Sequence, residues 1–127
     1  MQTGDLIKST ASRNPLLFHR GIVVVEENGR VCIAHNTPMY RNCYGGNVIV
    51  ETLESFLSDG RKILLVENSP LQYEDVYCWN DKVKAQKFDT MIFNCEHYVF
   101  GCLGDQRSPQ LQSALIVTGF TALMVLV

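Results

Sequence analysis

The 127-residue chain lacks a Cys-x-x-Cys pair, an internal repeat and any low-complexity run. Its first ten residues, MQTGDLIKST, hold no apolar core of the kind a secretory leader needs. Its cysteines are odd in number, five in all: Cys32, Cys43, Cys78, Cys95 and Cys102. Together these features argue for free thiols in a reducing compartment and not for a disulfide framework, and against a repeat array. An excess of charge of one sign is also missing. The formal net charge of -2 gives no global signal for nucleic acid, although a small basic patch would survive that average and leaves RNA binding open. Histidine is scarce. His19, His35 and His97 are the only candidates for a catalytic base.

What remains is ample for a core. A chain that is 46% hydrophobic and 19% charged is expected to fold as one domain. The apolar weight is uneven, since the last seventeen residues, LQSALIVTGFTALMVLV, carry no charge. The expected organisation is a domain over residues 1–107 followed by a hydrophobic C-terminal segment over 108–127.

Along the chain, TGDLIK begins at a Gly-Asp turn and continues extended, and STASRNP is a polar loop. LLFHRGIVVVEENGRVCIAHN predicts two β-strands around a turn, with a β-branched run at Ile22–Val25 and a hairpin signal at Asn28-Gly29. TPMYRNCYGGN is loop, broken at Gly45-Gly46. A short strand is expected at Val48–Val50, a helical turn or two over Thr52–Leu57 ended by Gly60, and a strand at Ile63–Val66. SPLQYEDV is ambiguous after its turn, and NDKVKAQKF fits either a helix or an exposed edge strand. Near the end of the domain, Asn94 is a good N-cap for a helix that starts at Cys95 and stops at Gly104. GDQRSPQ is a linker. Several strands, a few short helices and no regular βαβ alternation give an α+β domain.

A thiol is a nucleophile as its thiolate, which the positive end of a helix dipole stabilises. Cys95 has that placement and the other four cysteines do not; Cys102 falls near the end of the same helix. Glu96 is expected to be a solvated first-turn charge. Cysteine catalysis also needs an oriented base. His97, two residues along, lies about 200° around the axis and cannot easily face the thiol. His19 and His35 share a face only if the hairpin loop is odd. A two-residue Asn28-Gly29 turn pairs His19 with Pro38 and sends His35 to the other face. A three-residue loop, Glu27-Asn28-Gly29, pairs Glu26 with Arg30 and His19 with Thr37, and puts His35 one diagonal step from His19. The plainer readings are a buried structural thiol and packed or surface histidines. A zinc site from Cys95, His97 and Cys102 matches none of the common ligand spacings.

The motifs GDLIK, FHRGIVVV, CIAHN, NCEHYV and ALIVTGFTALMVLV occur in that order. In type and order they resemble the lecithin:retinol acyltransferase-like family of H-box/NC proteins, over nearly the whole chain, with the NC block as the specific part. The resemblance implies a permuted papain-like fold with a small antiparallel sheet packed on the NC helix. It implies thiol phospholipase or acyltransferase chemistry with Cys95 as nucleophile, His19 as base and His35 as its orienter, and no metal or cofactor. Active cellular members usually carry tryptophan after the first histidine, where this chain has Arg20, and the segment between His35 and the NC block is compressed. In both respects the chain is most similar to the picornavirus 2A proteins of the H-box/NC type. That branch implies a second possibility, a catalytically inactive viral non-structural protein that binds host factors, membrane or RNA during replication. Either reading places the protein in the host cytoplasm, associated with membrane through its C-terminal segment. Ala114–Val127 is fourteen residues, and as a helix spans roughly 21 Å against the ~30 Å hydrocarbon core. It therefore fits a truncated span, an interfacial element or a buried cover.

Overall fold

Ile22, Val23 and Val24 are fully buried. A β-branched run buried at successive positions belongs to a strand covered on both faces. In the computed structural model, which describes residues 1–11, 18–38, 46–105, 108, 109 and 111, that strand is β2 (Phe18–Val25). It is central in a five-stranded sheet of order β4-β3-β2-β1-β5. The other strands are β1 (Leu6–Thr10), β3 (Val31–Thr37), β4 (Asn47–Thr52) and β5 (Ile63–Glu67), with helices α1 (Leu53–Ser58), α2 (Tyr73–Val83) and α3 (Cys95–Cys102). Every strand pair is antiparallel, so the architecture is α+β. Cys43 and the whole of Ala114–Val127 lie outside the described residues. Among the described residues, no helix is long and apolar enough to cross a membrane.

The alternation of side chains along the strands builds two cores. On one face, Ile7, Val23 and Ile33 pack against Phe56 of α1. On the other, Leu6, Ile22, Val24 and Ala34 pack against Val76 and Val83 of α2 and against Tyr98, Val99 and Phe100 of α3. Thr52 ends β4 and caps α1, its hydroxyl accepting from Ser55 N at 3.1 Å. The ambiguous stretch after Ser69 resolves as α2, which takes in the first part of NDKVKAQKF as helix and not as edge strand. Asp75 accepts from the Gln72 amide at 2.8 Å at its start. Trp79 of α2 donates to Tyr98 O at 2.9 Å, and the Tyr98 hydroxyl donates to Asn80, tying α2 to α3.

The hairpin loop is the odd one. Val25 pairs with Val31. The Glu26 N–H donates to Arg30 O at 2.9 Å, and Gly29 sits at φ 81° with its N–H on Glu26 O. That conformation suits glycine, since an L side chain at positive φ is strained. The register therefore carries His19 and His35 to the same face.

Candidate active site

The β2–β3 ladder runs from Val25↔Val31 to Ile22↔Ala34, and no pairing continues it among the described residues. Beyond that point β2 stays with β1 as far as Thr10↔Phe18, and β3 stays with β4 as far as Thr37↔Asn47. The two strands thus part at the end that bears His19, Arg20, His35 and Asn36. The Val23 amide bonds to Asp5 O on the β1 side, so by alternation the Arg20 amide points toward the opened side.

The N-terminus of α3 fills this opening. Asn36, fully buried on β3, donates from Nδ2 to Phe93 O at 2.9 Å and to Asn94 O at 3.2 Å. Asn94 caps the helix as expected, its Oδ1 accepting from the Glu96 and His97 amides at 2.9 Å each. Its Nδ2 donates to Thr90 O and to Ser108 Oγ. His97, placed away from the thiol, accepts on Nδ1 from the Asn94 amide at 3.0 Å and so closes a capping box. Cys95 is delivered to the Arg20 amide, and backbone hydrogen bonds from Arg20 and Glu96 favour its thiolate. Burial outweighs them. The thiol is pushed up to about 11, with the neighbouring Glu96 charge adding to the rise. The lowered pKa expected from the helix start is therefore not what the site provides.

The histidines meet on the sheet face that carries Phe56. His19 Nε2 lies 2.7 Å from His35 Nδ1, with ring centroids 4.9 Å apart and nearly perpendicular. His35 also sits edge-on to Phe56 at 5.0 Å. Extending the β2–β3 register by one step places Gly21 opposite His35. A Cβ on Gly21 would meet Ile33 Cγ2 at 2.7 Å, so a side chain there would collide with Ile33 on the face that the two histidines share. Beyond His35, its Nε2 lies 2.5 Å from Glu51 Oε2 on β4, and Ser55 Oγ donates to Glu51 Oε1 at 2.6 Å. Burial, then His35 and the Arg61 cation hold His19 well below the usual histidine range. Burial also lowers His35, although Glu51 opposes it. Glu51 is lowered to about 2, chiefly by its bond to His35. At neutral pH the chain is a carboxylate and two neutral rings.

The structure thus joins His19 to His35 directly and sets Cys95 against the backbone of the residue after His19. Among the described residues, no hydrogen bond links the thiol to either ring. Glu96 is not the solvated charge expected of it. It is 2% exposed, accepts from Ser108 Oγ at 2.9 Å and lies 3.9 Å from the Arg20 guanidinium, because the linker folds back at Ser108, which is itself buried. Four contributors escaped the sequence reading: Glu51, Ser55, Asn36 and Arg61. Glu51 had a usable signal, since it pairs with Ile33 and so stands one diagonal step from His35. Arg61, buried over the Phe56 ring at 4.8 Å and bonded to Asp59, had none. No cluster of three or more metal-ligating side chains occurs among the described residues.

No family model, curated protein or solved structure matches this chain.

Proposed function

We propose that the protein is an H-box/NC-type thiol acyl hydrolase or acyltransferase acting on phospholipid esters, in a permuted papain-like domain. The observation that carries this reading is the hydrogen-bonded chain from half-buried Glu51 through buried His35 to buried His19, ending on the strand whose next amide favours the Cys95 thiolate. Histidine rings in series behind a carboxylate are an arrangement suited to moving a thiol proton.

On this reading the His19 ring turns into the gap where β2 and β3 stop pairing, takes the proton of Cys95, and the thiolate attacks the ester carbonyl. The carbonyl oxygen becomes an oxyanion near the amides at the start of α3. As the tetrahedral adduct collapses, the C–O bond of the ester breaks, and protonated His19 returns its proton to the departing alcohol. This leaves a thioester on Cys95. Water, or an amine for transfer, gives its proton to His19 and attacks the thioester, which releases the acyl product and the thiol. Cys95 is only 8% exposed, so ester access requires the cover over the helix start to move. The C-terminal segment is proposed to bring the domain to the membrane surface in the host cytoplasm.

A second reading has its own support. Burial that raises the thiol to about 11, and an Arg20 side chain turned to Glu96 and Phe100, suit a protein that keeps the helix start for stability. Such a protein would act by binding host factors, membrane or RNA. Fatty-acid release from phospholipid vesicles separates the two. The enzymatic reading expects release by the wild type, none by Cys95→Ala, and at least a hundredfold loss in His19→Ala. Equal background rates for all three would favour the binding protein.

A further inference from the structure

The four side chains Ser55, Glu51, His35 and His19 form one continuous hydrogen-bonded chain, built by diagonal steps across three neighbouring strands and closed by the first turn of α1. Its polarity follows from what each group can do. An ionised carboxylate only accepts, so His35 Nε2 must carry a proton and donate to Glu51. A neutral ring has one N–H, so His35 Nδ1 is then bare and accepts. The partner at 2.7 Å, His19 Nε2, must therefore be the donor, and the remaining His19 nitrogen, Nδ1, keeps its lone pair. The Ser55 hydroxyl occupies the other oxygen of Glu51 at 2.6 Å and holds the carboxylate in line.

We propose that Glu51 is the positioning residue of the site, setting the tautomers of both histidines so that Nδ1 of His19 is the free base. The assignment rests on the acyl-transfer reading for its purpose, but not for its chemistry. Without Glu51, no acceptor among the described residues selects Nε2–H of His35, and both rings are free to exchange tautomers. Glu51→Gln keeps a carbonyl oxygen to accept from His35 and an amide to donate to Ser55 Oγ, so it preserves the order without the charge. Glu51→Ala does not.

The test is the nitrogen NMR spectrum of the histidine rings in the full chain near pH 7.5. Wild type and Glu51→Gln should show His19 and His35 each protonated at Nε2 and bare at Nδ1. Glu51→Ala should show both rings as averaged or reversed tautomers. Wild-type His35 protonated at Nδ1, or single unchanged tautomers in Glu51→Ala, would overturn the assignment. The wild-type spectrum decides even where Glu51→Ala does not fold. Correct tautomers in a protein that releases no acyl group would refute the enzymatic reading and leave the assignment standing. Acyl release with reversed tautomers would do the opposite.

Discussion

The Arg20 amide is aimed at the Cys95 thiol, in the gap where β2 and β3 stop pairing. A backbone donor that would ordinarily serve a sheet ladder instead meets a sulfur brought in by a capped helix. The histidine ring next to that amide turns to the opposite face, where His35 and Phe56 receive it. The gap is the feature on which both the thiol and the imidazoles depend.

Asn36 holds that gap filled through its two bonds to Phe93 O and Asn94 O. Asn36→Ala should lower stability by roughly 1–3 kcal/mol, since two hydrogen bonds are lost while each carbonyl keeps one backbone donor, Asp89 N or Tyr98 N. It should also speed alkylation of Cys95. Urea unfolding and peptide-mapped iodoacetamide labelling measure the two effects. Unchanged labelling with reduced stability would mean that Asn36 braces the fold without governing the thiol.

Cys95, expected from its helix start to be the fastest thiol, should be slow in the absence of lipid, because burial raises it to about 11. Exposed Cys78 should label before Cys95 with limiting iodoacetamide near neutral pH, and the difference should vanish in urea. Faster labelling at Cys95 than at Cys78 in the folded protein would show that the dipole prevails over burial after all.

Stability should fall early on acidification. His19 and His35 are held below the ordinary value of about 6.5, so below that pH the unfolded chain binds protons that the folded chain refuses. Their contribution is complete above pH ~6.5. It declines by up to about 1.4 kcal/mol per pH unit for each ring as pH drops. Glu51, lowered to about 2, adds a second loss between its unfolded value near 4.5 and pH 2. Urea unfolding at pH 7.5, 6.5 and 5.5 should show a progressive loss that is shallower in His35→Gln. A flat profile over that range would mean that the rings titrate normally.

Much of this was legible before any coordinates. The β-branched run marked the central strand, Asn94 marked the helix start, and side-chain parity tied the two histidines to an odd loop with Gly29 at positive φ. Parity could not reveal that Cys95 would approach the strand edge and not the imidazole face, because that depends on where the β2–β3 ladder ends. Nor could it bury Glu96, which depends on a serine twelve residues away folding back onto the helix start. The sign of the thiol shift was missed for a related reason. A helix dipole is a local property of the sequence, whereas desolvation depends on everything packed around the site.

Gly29→Val should destabilise the hairpin by on the order of 1 kcal/mol or more, and Gly29→Asn by much less, because asparagine tolerates the left-handed region. A Cβ there meets nothing within 4 Å, so the cost is backbone strain alone. Equal midpoints for the two variants in urea would remove the argument from φ.

The central claim, that Cys95 carries an acyl group with His19 as its base, is tested most directly by trapping that group. The 127-residue chain is incubated with phospholipid vesicles, quenched in acid and measured by intact mass and peptide mapping. The account predicts one fatty-acyl increment, located on Cys95 and removed by hydroxylamine, present in wild type, absent in Cys95→Ala and strongly reduced in His19→Ala. A wild type that releases fatty acid with no adduct on Cys95, or an adduct formed equally well without His19, would contradict it.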